Sequence, residues 1–499
     1  MRLTIALLCA LLAGAASADL VEEGPADSAP SGLLAGVARA DITPPVGIAQ
    51  MNWGSQTHVE ATAIDPAGMH VTALVLSDGE QRFAMVDIDR LTVAGLEEAI
   101  PAASRRTGIP EDHIRLGASH THSGAIVAAA KGPAGIDLST YVALAERYRL
   151  QVIDKVVGAV VEASARLEPA HMHGGRGVGT ININRRVRAK GQDPPAVGRN
   201  PEGFVDRELI VFRVDDARGK PLAVLANFPC HGTVLAYDNK AISPDWPGMT
   251  RKTVEASMPG ALCLFFQGAA GNQGPVEGFT GDLAVAHRLG RVLGHQIAAV
   301  AEQIETVRRK PKFEGFVEST AYQAKQHWRV EGPRDATLRF ASATVDVPRR
   351  TYSGSEIDGM RSRLARAESV LAALGAAADP WKKHQAGARV RRFGDLLEQW
   401  TGPADSAPLQ VEVQALRIGE LAIVSMPGEP FAEIGAAVRK GSPFAFTMFC
   451  GYSDGVGGDY VPTAEEYRHG GYEVERSPYN PGAAERVVEA STMLLRRIR

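Results

Sequence analysis

The sequence predicts an α/β fold, because strand-like and helix-like segments alternate along most of its 499 residues. Several apolar segments of strand length end in polar or glycine-rich breaks, which follow Ala118, Asn227, Phe266 and Ser425. Side chains at the ends of buried strands commonly converge on one crevice in folds of this class. The composition, 45% hydrophobic and 22% charged, is ordinary for a globular protein. These breaks therefore indicate where a functional site is expected.

The individual elements follow from hydrophobic periodicity and turn signals. Segments 70–77 and 82–89 are β-prone and flank the turn signal Asp78-Gly79, so they predict a β-hairpin. The next elements are a helix over 96–106 with Pro101 as a potential break, a strand over 114–118, a long helix over 138–167, and a hairpin-like pair over 209–215 and 221–227. A strand over 261–266, helices over 282–305 and 357–376, two strands within 411–425 and a final helix over 483–498 complete the set.

Residues 1–18 have the pattern of a secretory signal peptide, with a positive charge at Arg2, an apolar run over 3–12 and the small residues Ala16-Ser17-Ala18. The run is too short to span a bilayer, which takes about 20 helical residues, and a buried N-terminal helix is the alternative. Residues 19–34, rich in Ala, Ser, Gly and Pro, predict a flexible lead-in. We therefore expect a secreted or periplasmic protein with one folded domain over 35–499.

The overall charge does not indicate nucleic-acid binding, because the net charge is −3 and the isoelectric point is near 6.5. A local basic cluster is interpreted as a solvated helix face; it consists of Lys382, Lys383, Arg389, Arg391 and Arg392. We expect no nucleic-acid partner, and the sequence does not indicate an oligomeric state.

Three cysteines remain beyond the signal segment, namely Cys230, Cys263 and Cys450, and each lies in an apolar string. Their odd number gives no disulfide framework. Buried free thiols are therefore predicted, while ligation of a metal by Cys230 stays open because it precedes His231.

Candidate metal ligands lie at the predicted strand ends. His120 and His122 are two residues apart, so on an extended segment they point the same way. His231 follows the apolar string LANFPC, and Glu429 follows SMPG. Two histidines and a carboxylate form a common catalytic zinc set that leaves a coordination position for water. Structural roles are the alternative, including stabilisation by Glu429 of a helix that begins near Phe431.

Three other polar residues have structural interpretations. Asp87 and Asp89 are expected to orient neighbouring loops through hydrogen bonds. Asp245 is expected to organise its own turn, with support of a ligand histidine as the alternative.

Several short strings together resemble the neutral, non-lysosomal ceramidase family over about residues 36 to 475. They are ADITPPVG at 40–47, HTHSG at 120–124, NINR at 182–185, NFPCH at 227–231, SPDWPG at 243–248, FFQGAAGN at 265–272, PGE at 427–429, YVPT at 460–463, and EEY at 465–467 with Tyr472. Their number and order make the resemblance specific. It implies a single ceramidase-like catalytic domain with mixed β-sheets layered between helices and an N-acyl amide substrate, a small molecule or a lipid. Peripheral contact with a membrane stays open.

The resemblance also implies that zinc is bound by His120, His231, Glu429 and Tyr460. Nothing in spacing or composition nominates a tyrosine ligand. The implied chemistry is amide hydrolysis, and because glycine takes the place of a family serine implicated in catalysis, we expect direct attack by metal-activated water.

Three further residues line the reaction centre according to the same resemblance. The permanently charged Arg185 would clamp or polarise a carbonyl oxygen. The phenol of Tyr472 would donate to a developing oxyanion, and His122 would shuttle a proton.

Two departures from the family pattern concern the substrate more than the fold. The family usually has a serine in a turn of the type G-D/N-x-S-P, whereas Gly274 takes that place in the string GNQGP at 271–275. Full-length ceramidases continue into an immunoglobulin-like domain, which we expect to be missing here. Alternatives therefore stay open: a zinc hydrolase of an ester, lactone or small amide, with a pocket enlarged at Gly274, or a catalytically silent lipid- or glycan-binding relative.

Overall fold

The structure, a computed structural model, describes residues 32–127, 137–188, 194–402 and 407–499. The expected signal segment and all but the end of the expected lead-in lie outside these residues.

The strands are β1 (Leu34–Asp41), β2 (Ala63–Ile64), β3 (His70–Ser77), β4 (Arg82–Ile88), β5 (Ile114–Ala118), β6 (Glu168–Val178), β7 (Asn182–Val187), β8 (Ala196–Asn200), β9 (Glu208–Asp216), β10 (Pro221–Phe228), β11 (Ala241–Ile242), β12 (Leu262–Gln267), β13 (Gln273–Pro275), β14 (Arg308–Val317), β15 (Gln323–Gly332), β16 (Leu338–Val347), β17 (Leu409–Ile418), β18 (Leu421–Ser425), β19 (Glu429–Pro430), β20 (Phe446–Cys450) and β21 (Tyr460–Val461). The α-helices are α1 (Ala99–Thr107), α2 (Ser139–Ala165), α3 (Trp246–Ser257), α4 (Leu283–Gln303), α5 (Gly354–Ala373), α6 (Pro380–Thr401), α7 (Ala432–Gly441), α8 (Tyr472–Arg476) and α9 (Ala483–Arg497). Short 3₁₀ helices cover Glu111–His113 and Ala464–His469.

Two mixed β-sheets form the middle of the fold. The larger has eight strands in the order β12-β10-β9-β6-β1-β3-β4-β5, in which the pairs β10–β12 and β4–β5 are parallel. The smaller has the order β16-β17-β18-β20, in which β18 and β20 are parallel. Parallel pairs need a crossover connection, and helices α3 and α7 supply it for β10–β12 and β18–β20.

Hydrophobic cores separate the layers. Helices α1 and α2 pack on one half of the large sheet around Val86 and Val152, and α3 and α4 pack on its other half around Phe228 and Leu289. A further core that includes Phe212 lies between the two sheets. Helices α7 and α9 cover the outer face of the small sheet. The predicted α/β class, with mixed sheets layered between helices, is confirmed.

The large sheet curls so that strands from its two ends approach each other. Phe265 of β12 donates its backbone N–H to the Asp87 carboxylate of β4 at 2.9 Å. The Arg251 guanidinium of α3 donates to Asp87 at 3.0 Å and also to Asp89, and Asp89 accepts the Ser119 hydroxyl at 2.9 Å. The buried carboxylates therefore orient neighbouring segments, as expected.

Most predicted elements are present, with boundaries shifted by a few residues. The β3–β4 hairpin, strand β5, helices α2, α4, α5 and α9, and the β17–β18 pair are confirmed. Pro101 does not break α1, because it lies in the first turn, where its missing N–H costs no helical hydrogen bond. The sequence indicated a helix around Lys382 to Arg392, which lies in α6, but not its bounds, and it did not predict the hairpin of β14 and β15.

The β14–β15 hairpin has no buried residue, and its aromatic side chains Phe313, Phe316, Tyr322 and Trp328 are 53–68% exposed. None of the helices in the described ranges is long and apolar enough to cross a membrane.

Candidate metal centre

The candidate ligands meet because the segments that follow several strands converge. His120 follows β5, His231 follows β10, and Glu429 opens β19 shortly after β18. A parallel bridge between Thr121 and Gly232 holds the first two segments side by side. The glycine is required, since a Cβ there would lie 2.8 Å from the His120 carbonyl oxygen.

The hydrogen bonds of His120 and His231 fix which ring nitrogen faces the centre. His120 Nδ1 lies 2.6 Å from the Leu91 carbonyl oxygen, and His231 Nδ1 lies 2.8 Å from that of Ala270. Each Nδ1 therefore donates its proton to the backbone, which leaves a lone pair on Nε2. The two Nε2 atoms lie 3.6 Å and 3.1 Å from Glu429 Oε2.

The protonation states make this arrangement a fit for a cation. Burial lowers the pKa of His120, and burial together with the Arg185 charge lowers the pKa of His231 to about 3. Burial opposes ionisation of Glu429, yet the permanent positive charge of the neighbouring Arg185 favours it, and the pKa of Glu429 lies well below its usual range. Two neutral imidazole lone pairs thus face an ionised carboxylate, which is the donor set expected of a metal site whose histidines are oriented by backbone carbonyls.

His122 completes a group of three imidazoles. Its Nε2 lies 3.3 Å from His120 Nε2, and its ring lies 4.6 Å from that of Trp53. Nitrogens of His120, His122 and His231 all lie within 4.8 Å of one another, so this group could hold a metal ion. The Nδ1 atom of His122 is buried and has no hydrogen-bond partner among the described residues.

Tyr460, Arg185 and Tyr472 lie beside this centre. Tyr460 is paired with Glu429 in the β19–β21 ladder, and its hydroxyl accepts from Arg185 Nη2 at 2.9 Å. Arg185 Nε donates to the buried Glu473 at 2.9 Å. The Tyr472 ring lies 5.7 Å from the Tyr460 ring. The structure thus brings the seven residues indicated by the sequence into one region.

Tyr452 is a residue that the sequence reasoning missed. Its hydroxyl lies 3.4 Å from Glu429 Oε2, and its ring centre lies 4.4 Å from that of His120. The sequence feature that could have indicated Tyr452 is the break Gly451-Tyr452-Ser453 after β20. It resembles the polar or glycine-rich breaks at the ends of the other strands.

Several structural alternatives can now be compared with the geometry. Glu429 does not cap α7, whose N-cap is Phe431, because its carboxylate faces the imidazoles instead. Asp245 caps α3 by accepting from the backbone of Trp246 at 2.7 Å. Trp246 in turn donates its indole N–H to the His231 carbonyl oxygen at 3.0 Å, so the turn does support His231, a candidate ligand.

The three cysteines are buried and free, as predicted. Burial raises the pKa of Cys230 well above its usual value. Its sulfur lies 3.7 Å from the His231 carbonyl oxygen, and ligation by a thiolate gains no support from these contacts.

Gly274 is buried in β13, and a Cβ built on it would lie 3.3 Å from Arg185 Cβ. It is not among the described residues that line the cleft over the centre. Gly274 therefore contacts the cleft-lining Arg185 rather than lining the cleft itself, and the expectation that it enlarges the pocket gains no direct support.

A cleft of about 1040 Å³ opens over the centre and is lined by His122, His231, Arg185, Tyr460 and Tyr472. This is large enough for a drug-sized or lipid-like ligand. Helix α6 lines it as well, with Arg389, Arg391 and Arg392. The interpretation of the basic cluster as a solvated face holds for the exposed Arg389 but was wrong for Arg391 and Arg392, which are partly buried. The position of α6 over the cleft depends on neighbours that cannot be seen in the sequence.

Comparison with known proteins agrees with this geometry. The family model "Neutral/alkaline non-lysosomal ceramidase, N-terminal" matches residues 33–281. The neutral ceramidase of Pseudomonas aeruginosa is 26% identical over 397 residues, which are 74% of this chain and 57% of that protein. Neutral ceramidase A of Dictyostelium discoideum is 28% identical over 178 residues, which are 33% of this chain and 24% of that protein. The chain thus spans less than two thirds of either relative.

Solved structures show the same fold. A ceramidase complexed with C2 superposes with a TM-score of 0.60 at 20% identity, over 93% of this chain and 75% of that one. The crystal structure of the Pseudomonas aeruginosa neutral ceramidase gives a TM-score of 0.58 at 20% identity, over 95% and 75% of the two chains. With the matched sequence, the shared fold and the motif residues gathered at one centre, the chain belongs to the neutral/alkaline non-lysosomal ceramidase family.

Proposed function

We propose that the chain is a zinc-dependent amidohydrolase that cleaves the acyl C–N bond of an N-acyl amide, ceramide-like or other. The observation that carries this proposal is the pair of imidazole lone pairs, on His120 and His231, that face the Glu429 carboxylate. His231 also lines the large cleft, whereas His120 and Glu429 line a smaller adjoining cavity of about 320 Å³. The relatives named neutral ceramidases support the amide bond as the target.

In this proposal His120, His231, Glu429 and Tyr460 hold the ion. Bound there, zinc would polarise the substrate carbonyl and lower the pKa of a water molecule. The hydroxyl of Tyr452 would orient the Glu429 carboxylate, since it lies 3.4 Å from Oε2.

Arg185 is the residue that would bind the substrate carbonyl oxygen. Its Nε and Nη2 are held by Glu473 and Tyr460, and its Nη1 has no partner in the described part of the chain while the residue lines the cleft. A guanidinium fixed on two sides presents its remaining donor without a loss of rotamer freedom on binding.

Tyr472 and His122 would handle protons. Burial raises the pKa of Tyr472, so its phenol stays protonated at neutral pH and can donate to an oxyanion. Burial lowers the pKa of His122 well below its usual value, so the ring is neutral and its unpartnered Nδ1 can accept a proton and return it. Overall, the water oxygen joins the acyl carbon and its proton goes to the nitrogen, giving a carboxylic acid and an amine.

We further propose that the protein is exported, on the pattern of residues 1–18. N-terminal sequencing of the protein purified from its native envelope or medium should begin at Asp19. An intact Met1 on cell-associated protein would contradict export.

The function is tested by assaying the metal-loaded protein on a panel of N-acyl amides, esters and lactones. Glu429→Ala should lower kcat/KM for amides more than about 100-fold, because it removes a ligand. The matched control is Glu368→Ala, since Glu368 is exposed on α5. Equal turnover by wild type and Glu429→Ala would refute the proposal. Turnover of esters or lactones alone would replace the amide with that bond, and tight binding without turnover would favour a silent binding protein.

A further inference from the structure

We propose that the substrate is an N-acyl amide whose amine part carries an anionic group, a carboxylate, sulfonate or phosphate, and that Arg389 and Arg391 of α6 bind this group. The inference rests on the proposed function and concerns which amides the cleft selects.

One face of α6 forms a wall of the cleft. The lining residues recur with helical spacing, because they are His384, Gln385, Ala388, Arg389, Arg391, Arg392, Asp395, Leu396 and Gln399. The helix begins at a well-formed N-terminus, where the Asp379 side chain accepts from the backbone of Lys382 and Pro380 occupies the first turn. The arginines are therefore held on a regular element.

The charges of the cleft are unequal. Its lining contains five arginines but only two carboxylates, Asp395 and Asp459. A cleft with one excess sign of charge raises the local concentration of ligands of the opposite sign. An amide with a neutral head group gains nothing from this excess.

Three of the five arginines already have acidic partners. Arg185 pairs with the buried Glu473, Arg392 pairs with the buried Glu475, and Arg476 lies 3.1 Å from Asp459. In contrast, the guanidinium groups of Arg389 and Arg391 have no hydrogen bond or ion pair to another side chain or backbone group in the described ranges. Arg391 is only partly exposed.

Contacts between rings connect α6 to the reaction centre. The Arg392 guanidinium lies over the Tyr472 ring at 4.8 Å, and the Tyr472 and Tyr460 rings are 5.7 Å apart. Arg391 is the chain neighbour of Arg392 and lines the same cleft. An anion on the amine side of a substrate bound in this cleft would therefore meet the α6 wall.

Aromatic side chains provide the complementary apolar surface. Trp53 contacts His122 at 4.6 Å between ring centres and Phe279 at 5.9 Å, and both aromatic residues line the cleft. An acyl chain would pack near Trp53 and Phe279 while the charged amine part points to α6. The cleft is therefore suited to an amphiphile with an anionic end.

The test uses substrates that share a dodecanoyl chain and differ in the amine part: N-dodecanoylglycine, N-dodecanoyltaurine, N-dodecanoyl-phosphoethanolamine, the neutral N-dodecanoylethanolamine, and a trimethylammonium analogue. The metal-loaded wild type should show a kcat/KM at least about 10-fold higher for an anionic substrate than for the neutral one, because charged hydrogen bonds are formed only with the anion. The trimethylammonium analogue should be the poorest substrate. The three anions distinguish carboxylate, sulfonate and phosphate recognition.

The double variant Arg389→Gln and Arg391→Gln should bring the ratio of anionic to neutral kcat/KM close to one, mainly through KM. Lys382→Gln is the matched control, because Lys382 is exposed on the same helix and does not line the cleft. Raising NaCl from 50 to 500 mM should lower kcat/KM for the anion in the wild type and leave the neutral substrate unaffected.

The outcomes separate this inference from the proposed function. Equal kcat/KM for anionic and neutral amides, or a ratio that the double variant leaves unchanged, overturns the anion site while amide hydrolysis stands. No hydrolysis of any amide by the metal-loaded protein overturns both.

Discussion

At the scale of single residues, backbone strain is concentrated where the side chains converge. His120 and Tyr452 have positive φ values of 63° and 54°, which for residues with a side chain cost about 1–2 kcal/mol each. Backbone hydrogen bonds hold both, from His120 to Arg90 at 3.0 Å and from Tyr452 to Gly428 at 2.9 Å. The strain aims both side chains at the same carboxylate. Local sequence gives little sign of it, since positive φ is uncommon for any residue with a side chain, although histidine adopts it more often than tyrosine.

Two neighbouring glycines are expected to respond differently to an added methyl group. A Cβ at Gly271 would lie 2.4 Å from the backbone oxygen of Glu429, whereas one at Gly274 would lie 3.3 Å from Arg185 Cβ. Gly271→Ala should therefore cost about 2 kcal/mol or more of unfolding free energy, and Gly274→Ala less than about 1 kcal/mol. Urea denaturation of the metal-free variants measures this. Similar losses for the two would contradict the packing described around Glu429.

At the scale of secondary-structure elements, the sequence indicated the right strand ends but not all of their neighbours. The breaks after β5, β10, β12 and β18 were recognised from apolar runs followed by glycine, proline or histidine. The break after β20, and with it Tyr452, was not recognised. The extent of helix α6 was missed because basic residues interrupt its apolar pattern. Its position over the cleft was missed because that position depends on packing between distant segments.

The free energy of unfolding should depend on pH through His173, which lies on β6 where this strand contacts the small sheet. Burial, with the nearby Arg334 charge, lowers the pKa of His173 to about 4, from 6.5, and its ring contacts Phe446. Because the folded pKa is depressed, the stabilisation is complete above pH 6.5 and is lost as the pH falls toward 4.

From pH 7 to pH 5, protonation of His173 should lower the unfolding free energy by about 1 kcal/mol, because solvent screening at this half-buried ring reduces the effect of the full shift. His173→Phe keeps an aromatic ring but cannot bind a proton, so its loss over the same interval should be smaller by that amount. Urea denaturation at the two pH values measures the difference. Parallel losses in wild type and variant would show that His173 is not held neutral by the fold.

At the scale of the whole molecule, the sequence predicted the layers but not how they close. Periodicity identifies β5 and β12 as strands, yet they occupy opposite ends of the eight-stranded order. Their approach depends on Asp87, which contacts Arg251 and Phe265 across 164 and 178 positions of sequence. Similarly, the resemblance indicated Tyr460 as a ligand, while its pairing with Glu429 and its bond to Arg185 appear only in the structure.

The exposed hairpin of β14 and β15 should contribute little to the stability of the rest. Trp328 is 57% exposed, whereas Phe212 is fully buried between the two sheets. Trp328→Ala should change the unfolding free energy by less than about 1 kcal/mol, and Phe212→Ala should lower it by about 3–5 kcal/mol. Thermal and urea unfolding of the two variants checks this contrast. A loss at Trp328 as large as that at Phe212 would mean that the hairpin packs into the core.

The central claim is that His120, His231 and Glu429 share one metal ion, and anomalous X-ray diffraction at the zinc edge tests it most directly. Crystals grown with zinc should show one strong peak about 2.0–2.2 Å from the Nε2 atoms of both histidines and from the Glu429 carboxylate, and crystals of His231→Ala should lack it. A wild-type map with no peak between these side chains, or a peak that persists in His231→Ala, would contradict the account.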